Sequence, residues 1–342
     1  LKGASSSSKH TTRRRTTLFA GSETMGSACI QEALAGLFGI FHKSKPMLPA
    51  PSCPQNGVKC TIQHRLTRRH SLHKVYSVSA DAVGEGSYGI VRKTWSRQTG
   101  KAYVVKTVPK KDRKKEDLAS LANELAIHER CDHPGIVRIY ESFEDYDHVH
   151  IAMEACDGGE LFDFVRGQGG TLNEPDARIL MQQVLQAVFY LHAVKNVAHR
   201  DLKLENLLLK FQGLALQHNT VKLIDFGFAQ AFTPGETSLT DTCGTPVYMA
   251  PEILPGPYSE KCDLWSCGVL LHEVISGSVP FDSSSPMKIL RMAASSPVQL
   301  GGDEWDAVSA ESKALVVGLL TRDPDDRLSA EQALQTPWLS SV

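Results

Sequence analysis

The sequence predicts an α+β chain with a small β-rich lobe followed by a larger, mostly helical one. Three observations predict it. Strand-like runs of β-branched and aromatic residues crowd residues 76–155, helical apolar spacing dominates residues 156–339, and Gly158-Gly159 stands where one texture gives way to the other. With 342 residues, 42% of them apolar, the chain is long enough for one large core or two lobes. Domain junctions favour ligand clefts, so the seam between the lobes is where a site is expected.

Residues 1–75 read as a basic, low-complexity tail. Residues 5–8 and 11–17 are rich in Ser, Thr and Arg, and Pro46, Pro49, Pro51 and Pro54 mark a second irregular stretch. Such composition offers too little apolar surface to offset the entropy of ordering. One short amphipathic helix is expected over 30–41, with Ile30, Leu34, Leu37, Phe38 and Phe41 largely on one face. The tail carries 12 Lys/Arg against 2 Asp/Glu and the rest 25 against 36, so the net charge of −1 divides into +10 and −11. An acidic body disfavours nucleic acid as a partner and favours cationic substrates.

From Tyr76, strands are expected over 76–82, 90–95, 102–108, 136–143 and 148–155, with one main helix over 116–130. The clearest helix of the second lobe spans 174–194: Asn173 is a candidate N-cap, Pro175 suits the first turn, and Ile179, Leu180, Val184, Leu185, Val188 and Leu191 recur at helical spacing. Eight cysteines without a CxxC pair disfavour a disulfide framework or zinc site and suit a reducing, cytosolic setting. No run of 18 apolar residues occurs.

Val83-Gly84-Glu85-Gly86-Ser87-Tyr88-Gly89-Ile90-Val91 is a G-x-G-x-x-G-x-V run, whose glycines let backbone approach phosphate closely. A dinucleotide fold would continue into a helix, whereas β-branched residues and a Thr99-Gly100 turn follow here, and no G-x-x-x-x-G-K-[ST] loop is present. Further on come His199-Arg200-Asp201, Asn206 and Asp225-Phe226-Gly227. Two carboxylates and an amide in this order suit a magnesium nucleotide held against a hydroxyl acceptor, because phosphoryl transfer asks the protein mainly to position groups and neutralise charge.

These runs, with Lys106 in Tyr103-Val104-Val105-Lys106, Glu124, Ala250-Pro251-Glu252 and Asp263-Leu264-Trp265, resemble those of the eukaryotic protein kinases over almost all of 76–339. Gly158-Gly159-Glu160-Leu161-Phe162 and the ending around Leu328-Ser329-Ala330 and Pro337-Trp338 are most similar to the calcium/calmodulin-dependent and calcium-dependent branch, although no EF-hand loop pattern occurs. The resemblance implies the bilobal protein-kinase fold and a Ser/Thr kinase using ATP and Mg2+. It implies Asp201 as catalytic base, Lys203 neutralising the γ-phosphate, a Lys106–Glu124 pair on the nucleotide, and Thr245 beside Asp201 and Lys203. Asn206 and Asp225 would be the metal ligands. The nucleotide site would draw on Val83, Gly84, Glu85, Gly86, Ser87, Tyr88, Gly89, Val91, Val104, Lys106, Met153, Glu154, Cys156, Glu160 and Leu208. A Glu252–Arg327 ion pair and an Asp263 brace for the catalytic loop also carry over.

Two residues depart from the family pattern. Val104 stands where alanine is usual, above the adenine ring. His128 stands where an apolar residue packs toward Phe226, and reads as a hydrogen-bonded core histidine, with a titrating switch as the alternative. Asp241 occupies the usual place of a phosphorylated residue that meets Arg200, so basal activity without phosphorylation is expected. Glu160 and Glu205 point to substrates with Arg-rich acceptor motifs. Ser71, in Leu66-Thr67-Arg68-Arg69-His70-Ser71, and Thr240 and Thr242 are candidate autophosphorylation sites. Met25-Gly26-Ser27-Ala28-Cys29 would allow acylation at Gly26 and Cys29 only if translation began at Met25. A pseudokinase scaffold that binds nucleotide or partners without turnover is the alternative function, and a small-molecule phosphotransferase a second.

Overall fold

A computed structural model describes residues 67–68, 71–86, 89–111 and 113–340 of the protein, with the backbone alone for Thr67, Arg68, Glu85 and Gly86. The tail helix expected over 30–41, Gly26, Cys29, Ser87 and Tyr88 lie outside the described residues. The small lobe is a twisted sheet of five antiparallel strands, β2 (Tyr76–Gly86), β3 (Gly89–Ser96), β4 (Ala102–Pro109), β5 (Ile139–Glu144) and β6 (His148–Glu154), with a two-residue parallel edge strand β1 (Thr67–Arg68). The spatial order is β1-β5-β6-β4-β3-β2.

Side-chain alternation gives the sheet two apolar faces. Val108, Val149 and Ile151 meet Leu121 and Leu125 of helix α2 (Lys115–His128) on one face. On the other, Val105, Phe143 and Ala152 meet Tyr76 and Leu72, the latter from the four-residue helix α1 (Leu72–Val75). The packed lobe therefore takes in chain from Thr67, ahead of the boundary expected at 76. The polar look of 66–75 hides Leu72, whose apolar side chain is buried.

Strand β2 runs four residues past its expected end because both arms of the glycine loop pair, Gly84 with Val91 and Glu85 with Ile90. Gly89 closes the loop at φ 146°, where a Cβ would lie 2.3 Å from the Thr107 carbonyl oxygen, so only glycine fits. Strand β5 starts three residues later than expected. Gly135 and Val137 hydrogen-bond instead to Leu223, joining this stretch to the second lobe.

In the large lobe, α3 (Leu161–Gly167) precedes α4 (Glu174–Phe189), where Asn173 Oδ1 accepts from Asp176 N at 2.9 Å, and a π-helical turn carries the chain to Lys195. Short strands β7 (Val197–Ala198), β8 (Leu207–Leu209), β9 (Val221–Leu223) and β10 (Gln230–Ala231) frame the segments between them. Helix α5 (Cys262–Ser276) is buried nearly all round and forms the axis of the lobe. It packs against α4 and α8 (Ala310–Leu319), and α6 (Pro286–Ser295), α7 (Asp303–Asp306), α9 (Ala330–Leu334) and α10 (Pro337–Ser340) complete the core. Among the described residues no helix is long and apolar enough to cross a membrane.

Candidate active site

The loop between β7 and β8 carries His199, Arg200, Asp201, Lys203 and Asn206. Its backbone is held from below by Asp263 of α5, whose carboxylate accepts from His199 N and Arg200 N at 2.8 Å each and meets His192 Nε2 at 2.8 Å. Burial alone would raise the Asp263 pKa, but its hydrogen bonds and the neighbouring histidines hold it below the ordinary value. Arg200 has φ 69°, a left-handed conformation costly for a residue that carries a Cβ, and the Asp263 bonds fix it there.

Asp201 is buried and fully engaged. Its Oδ1 accepts from Thr245 N (3.0 Å) and Thr245 Oγ1 (2.8 Å), and its Oδ2 meets Asn206 Nδ2 (3.0 Å) and Lys203 Nζ (3.0 Å). Lys203 Nζ also donates to Thr245 Oγ1 at 2.9 Å. A carboxylate, an ammonium, an amide and a hydroxyl thus converge. The Asn206 amide nitrogen also donates to the Asp201 carbonyl at 2.8 Å, so its amide oxygen is turned the other way. Asn206 O accepts from Ile224 N at 2.9 Å, which brings Asp225 alongside. Asp225 has φ 60°, and its Oδ1 accepts from Gly227 N at 3.1 Å. An amide oxygen and a carboxylate side by side are hard donors that fit a small divalent cation.

Across the cleft, Lys106 Nζ on β4 lies 3.6 Å from Glu124 Oε1 on α2. Burial lifts the Glu124 pKa against the pull of Lys106, and Asp225 adds to the rise. Phe226 is fully buried, stacked on His128 at 4.2 Å with 17° between planes and edge-on to His199 at 5.1 Å. His128 Nε2 donates to the Val137 carbonyl at 2.6 Å, and burial pushes its pKa down to about 4. That ring is neutral throughout the neutral range, so the titrating alternative fails and the hydrogen-bonded core histidine stands.

The rest of the expected nucleotide site lines the seam. Val83 and Gly84 are exposed on β2, and Val91 and Val104 are half-buried on β3 and β4. Met153 pairs with Val104 one residue before the end of β6, and Leu208 bridges to Glu160. The Glu154 side chain turns away to Lys210 (2.5 Å) and Lys222 (2.8 Å), so its backbone is what it offers the cleft. These two lysines tie the interlobe connection to β8 and β9, a role that nothing in the motifs signalled. Cys156 follows, partly buried, with its thiol pKa raised by burial to about 11.

The segment after Asp225 is anchored at several points. Arg200 reaches the Phe228 carbonyl (2.7 Å), the Tyr258 hydroxyl (3.2 Å) and Asp241 Oδ2 (3.5 Å), and Tyr258 donates to the Asp241 carbonyl at 2.7 Å. Glu252 and the buried Arg327 pair bidentately at 2.6 and 2.9 Å. Glu205 lies close enough to Glu160 and to Glu273 to influence the charge of each. Among the described residues, one oxygen of Glu205 is buried without a hydrogen-bond partner. Glu273 on α5 accepts from the Tyr248 hydroxyl, and burial, reinforced by Glu205, pushes its pKa up to about 7. Glu160 is exposed nearby, its pKa raised by partial burial, Asp163 and Glu205. Sequence reasoning missed Glu273 because it lies far along the chain within an apolar helix.

The protein kinase domain family matches residues 77–339. Calcium-dependent protein kinase 3 of Plasmodium berghei is 36% identical over 268 residues, covering 78% of this chain and 47% of that protein. A serine/threonine-protein kinase H1 homolog of Danio rerio is 33% identical over 324 residues, 94% of this chain and 75% of the relative. A probable myosin light chain kinase of Dictyostelium discoideum is 36% identical over 276 residues, 79% and 83% of the two. The chain spans about half the length of the calcium-dependent kinases it matches.

Proposed function

This chain belongs to the protein kinase family, in its Ser/Thr branch near the calcium-dependent kinases, and we propose that it is catalytically active, transferring the γ-phosphoryl group of ATP to Ser or Thr hydroxyls in arginine-bearing protein segments. The family uses ATP with a divalent metal, and the oxygen donors of Asn206 and Asp225 suit Mg2+. The observation that carries the reading is the closed set Asp201–Lys203–Asn206–Thr245 together with an intact Lys106–Glu124 pair. A scaffold without turnover has no need of that arrangement.

In this reading Asp201 Oδ1, now bonded to Thr245, exchanges that partner for the acceptor hydroxyl and takes its proton as phosphorus is attacked. Lys203 neutralises charge on the transferred group, and Lys106, steadied by Glu124, orients the nucleotide phosphates. The metal, when bound, neutralises phosphate charge. Asn206 and Asp225 would hold it, and the Asp201 bond to Asn206 keeps the base and this ligand residue in register. The nucleotide would lie against Val91, Val104, Met153 and Leu208, with the Glu154 and Cys156 backbone at its edge.

The Glu205 oxygen left unpartnered among the described residues and the neighbouring Glu273, whose pKa burial raises, support a guanidinium as the substrate's anchor. A fork of N–H donors would satisfy both acids at once. Glu160 would draw a second arginine. Ser71, exposed after Arg68 and Arg69, fits the same preference as an autophosphorylation site, whereas Thr240 and Thr242, the other candidates, have no arginine close before them. An arrayed peptide library incubated with MgATP tests the proposal. Phosphate should appear on Ser/Thr peptides with upstream arginine and vanish with Asp201→Asn. Equal labelling by that variant, or nucleotide binding without any transfer, would sink it.

A further inference from the structure

The turn joining β5 to β6 gathers three side chains that the kinase reading does not use. His148 and His150 are two apart on β6, so strand alternation puts both rings on one face. That face is the one covered by α1, across the sheet from Lys106, because Thr107, opposite His150, and Lys106 project to opposite sides. Asp145 closes the turn. Its Oδ2 lies 3.1 Å from His150 Nε2 and its Oδ1 lies 3.6 Å from His148 Nδ1. One donor atom from each of the three falls within 4.8 Å of the others.

We propose that Asp145, His148 and His150 bind a divalent transition-metal ion of the zinc class on the outer face of the small lobe. The 3.1 and 3.6 Å spacings run to different oxygens of Asp145, so a single ion with bonds of about 2.0–2.1 Å, which set ligand atoms roughly 3.3 Å apart, draws the three side chains in by rotation about their own bonds. Two imidazoles and one carboxylate are borderline donors suited to zinc rather than to magnesium or calcium, which take oxygen. His150 is already braced from behind. Its Nδ1 lies 3.0 Å from Thr107 Oγ1, so a metal on Nε2 leaves Nδ1–H to donate to that hydroxyl. Without metal the same ring donates Nε2–H to Asp145 and accepts from Thr107, so loading needs a tautomer exchange and no movement of backbone.

The site is open to solvent, with the His148 side chain 42% exposed and that of Asp145 56%. Water would complete the coordination. The adjacent Lys110 ammonium, 2.5 Å from the Asp145 carbonyl, is offset by Glu144 at 3.1 Å. The simpler role of the cluster is a turn lock, since Asp145 Oδ1 also accepts from Asp147 N and His148 N. The two roles separate experimentally.

Titration of the metal-stripped full chain with zinc chloride against a chromophoric indicator should show one equivalent that the double variant H148A/H150A lacks. Zinc should raise the Tm of the parent and leave that variant's unmoved. Thr107→Val, which keeps the strand shape, should retain the equivalent with roughly 10- to 100-fold weaker affinity. Equal zinc uptake by parent and double variant, displacement of the zinc by millimolar magnesium, or parental affinity in Thr107→Val would each overturn the assignment.

Discussion

Glu273→Gln and His128→Leu should tilt the pH dependence of stability in opposite directions. Glu273 titrates at about 7 in the folded protein against an ordinary 4.5, because burial disfavours its charge. The folded state therefore holds a proton that the unfolded chain has released, and the stability so gained is complete below pH 4.5 and lost as pH rises through 7. His128 titrates at about 4 against 6.5, again through burial. Here the unfolded chain holds the extra proton, so the stability is complete above pH 6.5 and lost as pH falls toward 4. Each shift corresponds to about 3 kcal/mol over its whole window, or about 1.4 kcal/mol per pH unit where the two states differ by one proton.

Between about pH 5 and 6.5 the two slopes cancel in the parent. Glu273→Gln uncovers the histidine, and stability should then fall by about 1.4 kcal/mol more per unit of acidification than in the parent. His128→Leu uncovers the glutamate and should fall by about the same amount more per unit in the alkaline direction. Urea denaturation at half-unit pH steps reads both slopes, and other groups drop out because each variant is compared with the parent. Variant profiles parallel to the parent would refute the burial argument for the residue concerned, whatever the absolute stabilities.

Three further outcomes are expected. Glu205→Gln should cost roughly ten- to hundredfold in kcat/KM for peptides with an arginine near the acceptor and little for peptides without one, as read by steady-state kinetics; the parent's KM for arginine peptides should fall as pH rises from about 6 to 8, because Glu273 must ionise to receive the cation. Asp241→Ala should lower turnover of unphosphorylated protein about fivefold, the effect of losing an ordering contact of about 1 kcal/mol to Arg200, and equal turnover would remove Asp241 from the account. Glu252→Gln leaves the buried Arg327 without its anion and should cost about 3–5 kcal/mol, seen as a Tm drop of roughly 10 °C by calorimetry.

What the sequence made legible was what is local. The glycine run, the catalytic loop and the Asn173 cap each place their chemistry within a few residues, and the strands beside them follow a period of two. Long-range partners were legible only through the resemblance, as with Lys106–Glu124 and Glu252–Arg327, since nothing within those strands or helices says what they will face. Where neither source spoke, the reading fell short. Leu72 is one apolar residue in a basic stretch, and its burial depends on the sheet face made by Phe143 and Ala152. Lys210 and Lys222 look like surface lysines until Glu154 is placed between them. The stack of His128 on Phe226, almost a hundred positions apart, was by contrast legible through the resemblance, though not from either segment alone.

Helix α5 explains why catalysis and substrate choice hold one geometry. Asp263 in its first turn fixes the backbone of the loop that carries Asp201, and Glu273, ten residues on, receives Tyr248 and faces Glu205. Ser266 Oγ, between them, donates to the Tyr248 carbonyl at 2.8 Å. The base and the acid proposed to hold the substrate's arginine are thus referred to one rigid rod, separated along it by roughly 15 Å. Because that rod is packed on every side, a displacement at one end cannot be absorbed locally. A substitution that shifts α5, such as enlarging Gly268, where a Cβ would meet Leu320 at 2.8 Å, should therefore degrade turnover and arginine preference together, whereas Glu205→Gln separates them.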